Sequence, residues 1–172
     1  TAVALDVETS STFTTEGGEH LYDVVVPAGG ANVYFDITAS GTGNLWSLVD
    51  ERGQVVFAEA AANLLTHDKG PYALLEGTYR LRFAPRRDTT PSYSFVARQV
   101  THDVEAIAVN TPVAGQLTMA GQTRTFTFSL SDDSWVTFDV DAGATNLRWA
   151  ANHSSGASVF ALRNMRITGD SV

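Results

Sequence analysis

Hydrophobic and polar residues alternate with period two along almost the whole chain. Leu21, Asp23, Val25 and Pro27 interleave with Tyr22, Val24, Val26 and Ala28, so a strand here presents one set to each face of a sheet. Residues 32–38 are rich in β-branched and aromatic side chains and run into Ala39-Ser40-Gly41-Thr42-Gly43-Asn44, a loop by composition. Residues 45–49 form the next predicted strand, Asp50-Glu51-Arg52-Gly53 a turn, and residues 54–58 the returning hairpin strand. Asp bonds its own backbone in such a turn and Gly takes the positive φ. Residues 72–75 lead through Gly77 to a strand at 78–83, and residues 92–97 close the set. Only residues 59–65 (Glu-Ala-Ala-Ala-Asn-Leu-Leu) have helical propensity. They are too few to hold a helix alone, so an irregular crossing segment or strand is expected there.

The chain then says nearly the same thing again. Val33-Tyr34-Phe35-Asp36-Ile37, Asn44-Leu45-Trp46, Gly53 and Val55-Val56-Phe57-Ala58 have counterparts in a second block. These are Val136-Thr137-Phe138-Asp139-Val140, Asn146-Leu147-Arg148-Trp149, Gly156 and Ser158-Val159-Phe160-Ala161. Upstream, Phe13 faces Leu117, Gly17 faces Gly121 and Tyr22 faces Phe126. The spacing of roughly a hundred residues suits whole domains rather than solenoid units of ~20–50. The fold class expected is all-β: two tandem jelly-roll-like antiparallel β-sandwiches, the second incomplete at its C-terminus. Residues 1–100 form the first repeat, the polar 101–105 (Thr-His-Asp-Val-Glu) a linker, and 106–172 the second repeat. The second block has no counterpart of residues 75–81 or of Tyr93-Ser94-Phe95. A continuing parent chain, or strand exchange with another subunit, is expected to complete it.

The expected first core contains Val24, Val26, Val33, Phe35, Leu45, Leu48, Val56, Leu75, Tyr79, Leu81, Phe83, Tyr93 and Phe95. The second contains Leu117, Phe126, Phe128, Leu130, Val136, Phe138, Leu147, Trp149 and Phe160.

Charge and composition narrow the function. The 172 residues carry a formal charge of −8, and Lys69 is the only lysine. Nucleic-acid binding needs a basic stripe to neutralise phosphates, and the only local cluster is Arg80, Arg82, Arg86 and Arg87. It reads as a solvated edge strand and turn, so no nucleic-acid partner is expected. No membrane insertion is expected either, because no run reaches the ~18 apolar residues of a span. The absence of cysteine removes disulfides, thiolate catalysis and Cys-type zinc sites. No signal peptide is visible and residue 1 is Thr, so the sequence reads as a mature protein or an excised piece of a longer one.

Against that background a family suggests itself. Tyr22-Asp23-Val24-Val25-Val26-Pro27-Ala28-Gly29 leads into Val33-Tyr34-Phe35-Asp36, then Leu45-Trp46-Ser47-Leu48 and Asp50-Glu51-Arg52-Gly53. Leu74-Leu75-Glu76-Gly77-Thr78-Tyr79-Arg80-Leu81-Arg82 and Tyr93-Ser94-Phe95 close the unit. This order resembles the bacterial pre-peptidase C-terminal-like (PPC-like) domain, over nearly all of the first block and about two thirds of the second. The resemblance implies a jelly-roll-type sandwich, exported and extracellular or on the bacterial surface, riding behind proteases or recurring within very large proteins. In collagenase relatives such domains bind calcium and collagen. The acids before the Tyr strand are Glu16 and Glu19 in the first copy, and the matching stretch Ala120-Gly121-Gln122-Thr123-Arg124 has none.

No catalytic, cofactor-binding or metal-ligand residues are expected. The chain has no Gly-x-Ser-x-Gly elbow and no His-Glu-x-x-His pair, and His20, His67, His102 and His153 are scattered. Asp139 and Asp141 share one face of a strand end near Asp132 and Asp133, but calcium wants ~6–8 oxygen ligands. They read as turn-forming, solvated acids, so no cofactor is expected, calcium being the one the resemblance would bring. Trp46 and Trp149 occupy repeat-equivalent strand positions and read as core. Trp135, beside the turn Ser131-Asp132-Asp133-Ser134, is the surface aromatic. Asn152-His153-Ser154 is a glycosylation sequon without meaning in a bacterial chain. The function expected is a non-catalytic spacer or adhesion module whose partners are neighbouring domains of a longer chain and an extracellular polymer or protein. The alternatives are an accessory substrate-binding module of a secreted hydrolase and a subunit completed by strand exchange.

Overall fold

The computed structural model describes residues 1–40, 44–58, 68–85, 89–139 and 147–164. The helix-prone residues 59–65, together with His67, Arg86, Arg87 and Asp141, lie outside the described residues. Every regular element among the described residues is a strand, and among them no helix is long and apolar enough to cross a membrane. The chain divides into two compact units, Thr1–Phe128 and Ser129–Val172.

The first unit contains β1 (Ala2–Val3), β2 (Glu8–Thr12), β3 (His20–Val26), β4 (Ala31–Ser40), β5 (Asn44–Val49) and β6 (Val55–Ala58). It continues with β7 (Lys69–Leu74), β8 (Gly77–Pro85), β9 (Ser92–Gln99), β10 (His102–Ala106) and β11 (Thr123–Thr127). Five strands form one sheet in the order β1-β3-β8-β5-β6, and four form another in the order β2-β9-β4-β7. All ladders in these two sheets are antiparallel except β1 on β3. The sheets face each other through aromatic rings. Phe83 of β8 stacks on Tyr93 of β9 at 4.3 Å, Tyr22 of β3 meets Phe95 of β9 at 5.3 Å, and Phe35 of β4 meets Phe57 of β6 at 5.4 Å. That is a β-sandwich core, and period-two alternation builds it. Along β8, Tyr79, Leu81 and Phe83 are buried while Thr78, Arg80 and Arg82 face out.

Most of the expected first core is buried, with corrections of phase. Leu75 is 78% exposed and Leu74 takes the inward place, because Leu75 lies past the end of β7 on the way to β8. Strand β5 buries Asn44, Trp46 and Leu48, leaving Leu45 half-buried on the other phase. Phe57 likewise takes the place given to Val56. Phe13 and Tyr22 complete the core. The arginine strand is no edge either. β8 is central, between β3 and β5, with Arg80 paired to Asp23 at 3.2 Å and Arg82 paired to Glu19 across the β3 ladder.

Residues 102–106 form β10, which runs parallel to β11. The second unit holds an antiparallel hairpin of β12 (Arg148–Asn152) and β13 (Ser158–Asn164). Of the residues expected in a second core, Leu117, Phe126, Phe128 and Leu130 are exposed. Val136, Phe138, Leu147 and Trp149 are half-buried, and Phe160 is buried.

The duplication is written in backbone geometry as well as in sequence. Ala2 pairs with Asp23 in parallel register, and Ala106 pairs with Thr127 in the same way. Asp6 and Asn110 both take the left-handed conformation, at φ 63° and 64°. Gly18 N–H donates to the Thr15 carbonyl, and Gln122 N–H to the Met119 carbonyl, in turns made by left-handed Gly17 and Gly121. In the β5–β6 hairpin Leu48 pairs with Phe57 and Val49 with Val55; in β12–β13 Ala151 pairs with Phe160 and Asn152 with Ser158. Both hairpins shift register at the same step.

Candidate functional site

Three polar constellations stand out in the first unit. The most buried sits at one end of the sandwich core, where β3 and β9 approach. Tyr22 and Tyr93 hydroxyls lie 2.8 Å apart, and the Tyr93 hydroxyl lies 2.6 Å from His20 Nδ1. Ser11 Oγ is 3.2 Å from the same nitrogen. The His20 ring stacks on Phe13 at 4.4 Å. Tyr93 is 2% exposed, and burial, then the bond with Tyr22, push its phenol well above the ordinary tyrosine pKa. A Ser–His contact resembles half of a nucleophile and base, but here one nitrogen is shared by serine and tyrosine while the ring packs on phenylalanine. The arrangement satisfies buried hydroxyls. The sequence hid it because its members come from four separate strands and loops.

The second constellation is the outer face of the four-stranded sheet. Arg98 of β9 pairs with Asp36 of β4 at 2.8 Å, both largely shielded from water. Tyr34 donates to Asp68 Oδ2 at 2.8 Å, and Asp68 Oδ1 accepts from the Ile37 N–H at 2.9 Å. Thr38 donates to Glu8 at 2.5 Å, and Ser10 and Ser94 hydroxyls meet at 2.8 Å. Burial and then the Asp68 bond raise the Tyr34 phenol far above its ordinary pKa. On this face Gly121 lies against the Tyr34 ring so closely that a β-carbon there would overlap it.

The third is an open cleft of about 350 Å³ lined by Asp23, Val49, Asp50, Glu51, Thr78 and Arg80. Asp50 is committed locally: its Oδ1 accepts from the Arg52 and Gln54 N–H groups at 2.9 and 2.7 Å, locking the β5–β6 turn. The second copy replaces it with His153, whose Nδ1 accepts from the Ser155 N–H at 3.1 Å in the equivalent turn. His153 is thus a turn-locking residue. His102 lies between Thr123 and Thr125 on the exposed β10–β11 pair.

Among the described residues no three His, Asp or Glu side chains are placed to hold a metal ion. Asp132, Asp133 and Asp139 are exposed, and Asp141 lies outside the described residues. Trp46 is buried against Phe57 at 5.0 Å, and Trp149 packs on Phe160 at 4.9 Å. Trp135 is fully exposed.

No family model matches the chain, and no curated protein matches it. Among solved structures it is similar to the pre-peptidase C-terminal domain of a collagenase from Bacillus anthracis, at 17% identity and a TM-score of 0.45. The match covers 56% of this chain and 92% of that one.

Proposed function

We propose that this chain is a non-catalytic spacer and adhesion segment of a larger exported bacterial protein, built from tandem jelly-roll-like β-sandwich modules and working outside the cell. Its partners are neighbouring modules and an extracellular polymer or protein. The observation that carries this reading is the in-register duplication, in which ladders, left-handed residues, turns and bulges recur at corresponding residues. A duplicated module adds length and repeated surface, the properties a spacer needs. The contact of Gly121 with Tyr34 supports it further, because it seats the start of the second copy on the outer sheet face of the first. The ion-paired outer face and acidic surface favour solubility at high local concentration.

Spin labels at exposed Glu51 and Thr118 test the joint. A spacer gives one narrow distance distribution that broadens in Tyr34→Ala. A broad distribution in the unmodified chain overturns the reading.

Trp135 favours a second reading, an accessory module that binds polysaccharide or fibrous protein for a secreted hydrolase. That reading expects retention on such polymers, lost in Trp135→Ala. A pure spacer shows no retention in either form.

A further inference from the structure

The outer face of the five-stranded sheet carries an open cleft whose charge the fold does not require. Strand β3 presents Leu21, Asp23 and Val25 outward, with Leu21 42% and Val25 54% exposed. The Asp23 row continues through Arg80 of β8 to Val49 of β5. The β5–β6 turn follows Val49 and adds Asp50 and Glu51 to the cleft, so that its lining carries three carboxylates. Arg80 directs Nε and Nη2 to one oxygen of Asp23, at 3.3 and 3.2 Å, and the Thr1 amine lies 4.0 Å from the other. Glu51 is exposed and has no ion-pair partner among the described residues. The second copy acts as an internal control. Its turn is closed by the same pair of backbone bonds, from His153 N–H to the Ala157 carbonyl and from Gly156 N–H to the His153 carbonyl, as Asp50 with Gln54 and Gly53 with Asp50 in the first. Yet Thr127, His153 and Ser154 stand where Asp23, Asp50 and Glu51 do. The module forms its strand and turn without the acids, so their charge belongs to the first copy and not to the fold.

We infer that this cleft docks an extended peptide segment of a partner protein, with a lysine or arginine side chain in the cleft and apolar side chains on Leu21 and Val25. The inference rests on the adhesion reading, to whose protein partner it gives a chemistry. Alternate residues of an extended chain lie about 6.8 Å apart on one face. Leu21, Asp23 and Val25 have that repeat along β3, so a segment of the pattern apolar-x-basic-x-apolar matches them position by position. The cleft holds about 350 Å³, room for a single long side chain. The aliphatic stem of a basic residue runs along Val49, and its charged head meets Asp23, Asp50 and Glu51. Charge complementarity selects the partner. A chain of net charge −8 attracts a basic segment and repels a second copy of itself.

The probe is a fluorescently labelled peptide with a central arginine, leucine two positions to either side and serine elsewhere. Its binding to the full chain is followed by anisotropy at low and high salt. The expected result is binding that weakens as salt rises and is absent for the same peptide with glutamate at its centre. Glu51→Gln, at an exposed site free of structural bonds, is expected to weaken it by about threefold to fivefold, the effect of one solvent-facing charge pair. Asp23→Asn combined with Glu51→Gln weakens it further, and Glu16→Gln, an exposed acid elsewhere, leaves it unchanged. Replacing both leucines of the peptide by serine also weakens it. Equal binding of the arginine and glutamate peptides overturns the inference, as does an equal loss in Glu16→Gln, which makes the attraction one of net charge. Retention on an amine-bearing polysaccharide with no binding of the peptide overturns it too. If no peptide binds while Trp135-dependent retention on a polymer persists, the adhesion reading stands and this inference alone falls.

Discussion

The aromatic clusters of the two copies share a geometry and differ in their surroundings. Phe35, Trp46 and Phe57 meet at 6.4, 5.4 and 5.0 Å, edge to face; Phe138, Trp149 and Phe160 meet at 5.6, 5.6 and 4.9 Å in the same fashion. The first cluster spans the two sheets of a sandwich whose core also holds Phe83, Tyr93 and Phe95. Among the described residues the second is a compact group of three rings with only Phe160 buried. Local sequence thus reproduces a hairpin and its ring contacts, whereas burial depends on which strands stand opposite.

The largest test of that difference is truncation at the matched ring. Phe35→Ala is expected to cost about 3–5 kcal/mol, as deletion of a fully buried phenylalanine does. Phe138→Ala, from a half-buried site, should cost well under half as much and leave the main unfolding transition in place. Chemical denaturation followed by near-ultraviolet circular dichroism measures both. Equal losses would mean the two clusters are equally enclosed.

The matched glycines sharpen the comparison next. Gly17→Ala places a side chain at φ 68° with nothing near it, so only backbone strain of about 1–2 kcal/mol is expected. Gly121→Ala adds overlap with the Tyr34 ring and should cost clearly more than that in thermal unfolding. Identical shifts would remove the joint between Gly121 and Tyr34.

Turn locking gives a smaller effect. Asp50→Ala removes two backbone-to-carboxylate bonds and should cost about 1–2 kcal/mol, and His153→Ala, which removes one such bond, about half of that. Exchange of the Gln54 and Ser155 amides reports each turn separately.

The mildest test is alkaline titration. Tyr93 and Tyr34 are held protonated above the ordinary value of 10.0. Their folded form therefore keeps its proton where the unfolded chain loses it. The stability tied to these groups is complete below pH 10 and falls as pH rises beyond it. Unfolding midpoints across that range should decline, and less steeply in Tyr93→Phe. The second copy offers no such decline at the Tyr34 position, because Thr137 stands there.

Much of this architecture was legible in the chain. Alternation placed β3, β4, β8 and β9, since one face of each is buried and a one-residue slip would expose it. The resemblance of the first block to the PPC-like domain was carried by Gly77-Thr78-Tyr79-Arg80-Leu81-Arg82, which forms β8 at the centre of its sheet. Exposure of Trp135 followed from its place beside a turn of Ser and Asp. Leu75 was placed in the core where Leu74 belongs, because adjacent apolar residues give period two nothing to choose between, while Leu45 and Val56 pack half-buried against that core beside Trp46 and Phe57.

By itself, then, the sequence determined the strands, their turns and the duplication, because these depend on contacts within a few residues and on patterns that recur at corresponding places. Only the tertiary structure decided the rest. It set β8 between β3 and β5, gathered Ser11, His20, Tyr22 and Tyr93 into one network, and laid Gly121 on Tyr34. Each of those outcomes depends on which distant strands become neighbours. The free energy of such pairing lies in apolar area and backbone bonds summed over whole sheets, and no short stretch of sequence carries it.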